Sequence, residues 1–157
     1  MPNVPYCGTP PVPGGASWNL DPVLIAALLA AGALAMVRAR DAGAPRRGAV
    51  ALGWAVLAFA LVSSLCNLSV ALFSARVGQH MLLTLLAAPL IAFGASEQTG
   101  ARGPGLAAPT LAFALALWVW HMPGPYAATF ASDAVYWAMH ASLFGASVWL
   151  WAALWIR

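Results

Sequence analysis

The sequence predicts an all-α integral membrane protein, a bundle of about five transmembrane helices with its N-terminus outside the cytoplasm. Three observations predict it. Only 7% of the 157 residues are charged and 62% are hydrophobic, with a mean hydropathy of +0.82, whereas a soluble domain has about a quarter of its residues charged. Apolar runs of nearly membrane-spanning length recur along the chain. The seven arginines lie asymmetrically around those runs.

The apolar runs are separated by segments rich in proline, glycine and polar residues. Residues 1–17 are predicted to be an irregular extracytoplasmic tail, and residues 18–157 a single transmembrane helical domain. A tight link at residues 74–78 separates the second helix from the third, and residues 121–125 end the fourth. The predicted helices span residues 20–38, 49–73, 79–93, 107–121 and 134–156.

The arginines predict the orientation. Six of the seven fall on one side of the predicted helices, and this side is taken as cytoplasmic; they are Arg38, Arg40, Arg46, Arg47, Arg102 and Arg157. Only Arg76 falls outside. We therefore expect a multi-pass protein of the bacterial cytoplasmic membrane. The scattered arginines do not form a patch for nucleic acid, and no secretory signal is evident.

All three histidines of the sequence fall near the outer side of this scheme. His80 begins the third helix, His121 ends the fourth, and His140 lies about 9 Å deep in the fifth at 1.5 Å per residue. An ionisable side chain at that depth is by default a functional one. The alternative for an interfacial histidine such as His121 is a hydrogen bond to headgroups or loop carbonyls.

Soft ligand atoms occur close to these histidines. Met81, Met122 and Met139 each adjoin one of them, and Cys66 is predicted about 10 Å deep, level with His140. Imidazole, thioether and thiolate together select Cu(I). Alternatively, the methionines fill gaps in the bundle and Cys66 is a small buried hydrophobe. The two cysteines of the chain are too few for a disulfide framework.

Two further polar residues are candidates for a supporting role around the histidines. Asp133 can orient an imidazole or cap the fifth helix. Asn67 shares a helix face with Ser63, which predicts hydrogen bonds to another helix. The sequence shows no nucleophile with its base, no glycine-rich phosphate loop and no pair of carboxylates in the membrane, so enzyme activity is not expected.

Three segments, in order, resemble the cytochrome c oxidase assembly factors associated with caa3-type oxidases, the CtaG-like membrane proteins. The first runs from Phe73 through Gln79-His80-Met81 to Ala87-Ala88-Pro89. The second is Trp118-Val119-Trp120-His121-Met122-Pro123 with Tyr126, and the third runs from Tyr136 to Trp151 and contains His140. The start, Trp18 with Asp21-Pro22, is also similar. Many members of that family have a further histidine where this chain has Arg76.

The resemblance implies a role in assembling the binuclear copper centre of a terminal oxidase at the outer face of the membrane. It implies that His80, His121 and His140 are the metal ligands. Combined with the soft donors beside them, this predicts bound Cu(I), with Cys66 as the best fourth donor and Met81, Met122 and Met139 as weaker candidates. The expected partners are the lipid bilayer, the oxidase subunits and a copper chaperone. Two alternatives stay open: a haem-binding electron-transfer subunit with two axial histidines, and a metal-free structural subunit of an oxidase.

Overall fold

The computed structural model describes residues 4–12, 14–15, 17–95 and 105–155, and within these ranges every regular element is a helix. The prediction of an all-helical protein is therefore confirmed. The α-helices are α1 (Pro22–Arg38), α2 (Ala44–Val62), α3 (Ser64–Ala71), α4 (Phe73–Met81), α5 (Ala88–Ala95), α6 (Ala107–His121), α7 (Pro123–Ala131) and α8 (Asp133–Trp155), with a π-helical segment, Leu82–Ala87, between α4 and α5.

Two stretches of the described chain are long and apolar enough to cross a membrane. They are α2, Ala44–Val62, and the continuous helix Phe73–Ala95 formed by α4, the π-helical segment and α5. The helices α1 and α6 are apolar but shorter. The two long stretches alone give weak support for a membrane protein, and the number of five spans remains a prediction.

The predicted second helix, 49–73, is wrong in its extent, because the chain divides it at Ser63. Ser63 has an extended backbone, and its hydroxyl caps α3 by accepting a hydrogen bond from the Leu65 amide at 3.3 Å. Serine favours this capping position. The carbonyl of Val62, left free at the end of α2, accepts a hydrogen bond of 2.8 Å from the Asn19 amide. The segment before α1 thus satisfies the backbone at the break between α2 and α3.

The predicted link at residues 74–78 is also wrong, since it forms part of α4. The third helix begins at Phe73 rather than at residue 79, which places His80 more than a full turn inside it. Residues 74–78 are helical in part because they include the good helix formers Ala75 and Arg76. The search for apolar runs missed them because the segment is polar. Arg76 is therefore a buried helical residue and not part of an exposed link.

The π-helical segment connects the continuous helix Phe73–Ala95 to α8 by hydrogen bonds. Pro89 lacks an amide hydrogen, so an ideal α-helical ladder cannot continue through it. The Ala88 amide donates to the Leu83 carbonyl, five residues back, which leaves the Thr84 carbonyl free of the ladder. That carbonyl accepts two hydrogen bonds from α8, from the Ser147 hydroxyl at 2.8 Å and the Trp151 indole at 2.9 Å.

The helices α2 and α5 pack closely because glycine lies at their contact. A Cβ added at Gly53 would come within 2.7 Å of Ile91 Cγ1 and 3.0 Å of the Ala87 carbonyl oxygen. Both distances are shorter than ordinary van der Waals contacts, and the second involves rigid backbone. Small residues at a helix interface are what allow such an approach in a membrane bundle.

We expect Gly53→Ala to destabilise the protein by about 1–3 kcal/mol through overpacking. Gly48→Ala is the matched control, because Gly48 lies in the same helix and a Cβ there meets nothing within 4 Å. Thermal unfolding of the two purified variants in detergent checks this. Equal melting temperatures for Gly53→Ala and Gly48→Ala would show that the α2–α5 contact is looser than described.

The fourth and fifth helices largely agree with the prediction. The helix α6 ends at His121, Met122 is extended, and Pro123 opens α7, a short helix that the sequence analysis left as a break. The helix α8 begins at Asp133, one residue before the predicted start. Most of the predicted loop 94–108, including Arg102, and the C-terminal Arg157 lie outside the described residues.

The N-terminal tail is joined to the bundle by a disulfide bond between Cys7 and Cys66, which the sequence analysis did not expect. Its described residues contain no helix. The Asn67 side-chain amide donates to the backbone carbonyls of Cys7 and Thr9, at 3.0 and 2.8 Å. The ring of Tyr6 stacks on that of Tyr136 in α8, with 5.0 Å between centroids. The tail therefore covers one end of α3 and α8.

Candidate metal site

The three histidines come together from three helices. His80 lies in α4, His121 is the last residue of α6, and His140 lies two turns into α8. The ring centroid of His80 is 5.4 Å from that of His140 and 6.0 Å from that of His121. The imidazole of His80 is therefore central, with one neighbour on each of two other helices.

Hydrogen bonds to backbone carbonyls orient two of these rings. His140 Nδ1 lies 3.1 Å from the Tyr136 carbonyl oxygen, and His121 Nδ1 lies 2.6 Å from that of Leu117. A carbonyl oxygen only accepts, so each Nδ1 carries the hydrogen and donates it. In the neutral ring Nε2 then has a free lone pair, which is the state of a histidine that binds a metal.

Three of the four ring nitrogens of the two buried histidines lack a hydrogen-bond partner among the described residues. Neither Nδ1 nor Nε2 of His80 has a hydrogen-bond partner within the described part of the chain, and the same holds for His140 Nε2. His80 is 6% exposed and His140 4% exposed. A buried polar atom without a partner is destabilising by roughly 1–3 kcal/mol. Three such atoms lie together in this cluster.

The separations of the rings can be compared with those of imidazoles that share a metal ion. Among the described residues, no set of three or more His, Cys, Asp or Glu side chains is assembled as a metal site as it stands. Two imidazoles on one ion, each about 2 Å from it, have ring centroids roughly 5 Å apart. The pair His80–His140 is near this separation, whereas the exposed ring of His121 has to move closer.

The sulfur donors predicted from the sequence do not join the cluster. Cys66 is bonded to Cys7, and in this disulfide it has no thiolate to offer a metal; the expectation of Cys66 as fourth ligand is corrected for this form of the protein. Met139 is fully buried and belongs to the same core cluster as the two cysteines and Tyr136. Met81 and Met122 are each about half exposed.

Tyr136 connects the disulfide to the histidines. Its hydroxyl lies 3.2 Å from Cys7 Sγ and 3.6 Å from Cys66 Sγ. Its ring centroid is 4.2 Å from that of His140. The tail, the disulfide and Tyr136 thus form successive layers over one side of the cluster, and this wall limits the freedom of the His140 ring.

Arg76 and Gln79 are polar residues near the cluster to which the sequence analysis assigned no role in the site. Arg76 precedes His80 by one helical turn, a spacing that places both on one face of α4. Gln79 is fully buried; its amide nitrogen donates to the Ala60 carbonyl at 2.8 Å, and its Oε1 has no partner among the described residues. The i, i+4 spacing from His80 is the sequence signal by which Arg76 could have been identified.

The two residues predicted to support the site lie elsewhere. Asn67 binds the tail through its side chain, rather than an imidazole or another helix. Asp133 is exposed at the first turn of α8, nearly two turns before His140. There its carboxylate faces the positive end of the helix dipole.

A second carboxylate, Asp21, caps the start of α1 and is bonded to the tail. The Tyr6 hydroxyl donates to it, and this hydrogen bond holds the pKa of Asp21 below its usual value. Burial, with the carboxylate beside it, raises the pKa of the Tyr6 hydroxyl. The charge of Asp21 is therefore used in fixing the tail to the start of α1.

A cavity of about 390 Å³ reaches His140 from the side of α1. Its walls are mostly aliphatic and aromatic side chains, among them Leu24, Leu28, Trp54, Leu57, Leu83 and Phe144. The cavity lies between α1 and α8 and has His140 in its wall.

Fold and site together define a strongly apolar protein, all-helical over its described residues, in which three helices bring three histidines together. Residues 28–156 match the family model of the cytochrome c oxidase caa3 assembly factor, Caa3_CtaG. The chain belongs to this family, as the three sequence segments predicted. No curated protein and no solved structure matched.

Proposed function

We propose that this chain handles copper for cytochrome c oxidase at the outer face of the bacterial cytoplasmic membrane. The observation that carries the proposal is the gathering of His80, His121 and His140, in which three nitrogens of the two buried rings have no partner among the residues that the structure describes. Family membership supplies the oxidase as the target of the assembly step. Copper is the cargo, bound and passed on by exchange of imidazole ligands. No covalent bond within the protein is made or broken, so the proposed role is not enzymatic.

The proposal includes a bundle of five membrane spans, formed by α1, α2–α3, α4–α5, α6 and α8. Exposed apolar stripes support it. On α6, Leu111, Leu115 and Trp118 are 61%, 61% and 78% exposed, and their spacing of four and three places them on one face. Such a stripe is unstable in water and suited to lipid. The buried polar side chains face inwards, as they do in membrane bundles.

Two independent features support an outer location for the histidines. The arginine distribution assigns the 38–48 loop to the cytoplasm, which puts the N-terminal tail outside. The Cys7–Cys66 disulfide joins that same tail to α3, and disulfides persist outside the reducing cytoplasm. Because Tyr136 links the disulfide to His140, the imidazole cluster is at the same end of the bundle.

The ligand set supports a late first-row transition metal. Neutral imidazole suits copper, zinc, iron and nickel, and the family's target makes copper the relevant member. Partners follow from the transfer: an oxidase subunit that receives the ion and a copper chaperone that delivers it. The partly exposed ring of His121 is the proposed point of exchange, because the other two rings are buried.

The function is tested by replacing the chromosomal copy with a His80→Ala/His121→Ala/His140→Ala variant and purifying the oxidase. We expect the oxidase to retain its haem but lose most of its copper and activity, because no ion is delivered. The control is Met81→Leu, which changes an exposed neighbour of His80. Membrane levels of both variants are compared by immunoblot.

Full copper content in the oxidase of the triple-histidine strain would contradict the proposal. An absorption spectrum of the purified wild-type chain addresses the haem alternative, since bis-imidazole haem has strong visible bands and Cu(I) has none. A haem spectrum that the triple variant loses would replace copper handling with electron transfer.

A further inference from the structure

The choice between monovalent and divalent ions is not explained by the ligand atoms. The sequence favoured Cu(I) because soft sulfur was expected beside the histidines. In the structure both cysteine sulfurs form a disulfide, and Met81 and Met122 point substantially outwards. Three imidazoles alone accommodate copper in either oxidation state as well as Zn²⁺. Another feature has to supply the selectivity.

A buried positive charge lies beside the cluster. Arg76 is 2% exposed, and within the described part of the chain its guanidinium bonds two neutral acceptors, the Ser69 carbonyl at 3.3 Å and the Thr129 hydroxyl at 2.8 Å. Its Cζ also lies over the rings of Phe130 and Tyr126, at 4.3 and 5.2 Å. These contacts solvate the cation while leaving its full charge in place.

No carboxylate neutralises that charge in the described part of the chain. The one ion pair there joins Arg40 to Asp41, on the predicted cytoplasmic loop. Asp133 is exposed, and Asp21 is engaged by Tyr6. Residues that face the cluster from α4 and α8 therefore contribute neutral imidazoles, an amide and a phenol, together with one guanidinium.

The guanidinium is close enough to act on the histidines. Arg76 and His80 are four residues apart in one helix, which places their Cβ atoms about 6 Å apart. Arg76, His80 and His140 are all buried, so little solvent lies between the guanidinium and the rings to screen its charge. At a partly buried site, a positive charge on the order of 10 Å from a bound ion lowers the affinity for that ion by about tenfold or more for each unit of the ion's charge.

We propose that Arg76 makes the three-imidazole site selective for a monovalent cation, Cu(I), over divalent ions. Repulsion by the guanidinium is proportional to the charge of the bound ion, and neutral imidazoles carry no negative charge that would cancel it. The repulsion energy is therefore twice as large for a divalent ion as for a monovalent one. The inference rests on the proposed metal-binding role of the histidines and adds its charge specificity.

Ag⁺ and Zn²⁺ are the test ions, because both have filled d shells and differ in charge. Their affinities for the full chain in detergent, with its disulfide intact, are measured by chelator competition. We expect wild type to prefer Ag⁺. Arg76→Gln should shrink the Ag⁺-to-Zn²⁺ affinity ratio by about tenfold or more, mainly by tighter Zn²⁺ binding. Arg76→Lys keeps the charge and should keep the ratio.

The control variant is Arg47→Gln, an exposed arginine at the predicted cytoplasmic side, which should leave the ratio unchanged. A purely structural role for Arg76 would make Gln and Lys variants lose both ions alike, and this outcome overturns the inference. So does a wild-type protein that prefers Zn²⁺, whether or not Arg76→Gln folds. Binding of neither ion by wild type would instead remove the proposed metal site itself.

Discussion

Replacing His80 with alanine is expected to lower the affinity of the purified protein for Ag⁺ or Cu(I) by at least about a hundredfold, the largest effect of any single substitution. His80 is the only ring recorded in contact with both of the others among the described residues. Both of its nitrogens are without partners there. Removing it separates the two remaining imidazoles as well as deleting a ligand.

The three histidines should differ in a defined order. His140→Ala should have the next largest effect, because that ring is buried with its Nε2 free. His121→Ala should have the smallest, because its exposed ring has to move to reach a shared ion. Competition with a chromogenic chelator measures all three, and Met81→Leu is the matched control. An unchanged affinity in His80→Ala would rule out the shared site.

Replacing Cys7 with alanine is expected to produce the largest loss of stability. The disulfide joins residues 59 apart in sequence, and closing a loop of that length stabilises a fold by about 4 kcal/mol in the chain-entropy model. For a chain of this size the midpoint of thermal unfolding should fall by roughly 10 °C. Cys66→Ala and the double variant should give the same shift, because the two sulfurs act as one bond.

The measurement is thermal unfolding in detergent, with and without a thiol reductant. Reductant should lower the melting temperature of the wild type to that of Cys7→Ala and should leave the variant unaffected. A wild-type melting temperature that does not respond to complete reduction would show that the tail contributes little to the fold.

The parts of the molecule that were predictable depend on composition and local pattern. Apolar runs predicted helices at 20–38, 107–121 and 134–156, and the structure has α1, α6 and α8 at nearly these positions. Pro123 marked the end of α6 for a local reason, its lack of an amide hydrogen. The histidine cluster was predictable because depth along each helix and side of the membrane follow from residue counting.

What could not be predicted depends on contacts between distant residues. The break at Ser63 is completed by Asn19, more than forty residues earlier. The charge of Arg76 by itself favours an exposed link. Its burial depends on acceptors from two other helices, which the local sequence does not reveal. The partner of Cys66 is in the tail, whose path over α3 no periodicity encodes. In each case the local sequence was compatible with two conformations.

X-ray absorption at the copper edge of the chain loaded with Cu(I) most directly tests whether one ion is shared by imidazoles from α4, α6 and α8. We predict a first shell of nitrogen only, at about 2 Å, with the outer-shell scattering that imidazole rings give and no sulfur. A first shell containing sulfur, or copper that remains bound in the triple-histidine variant, would contradict the account.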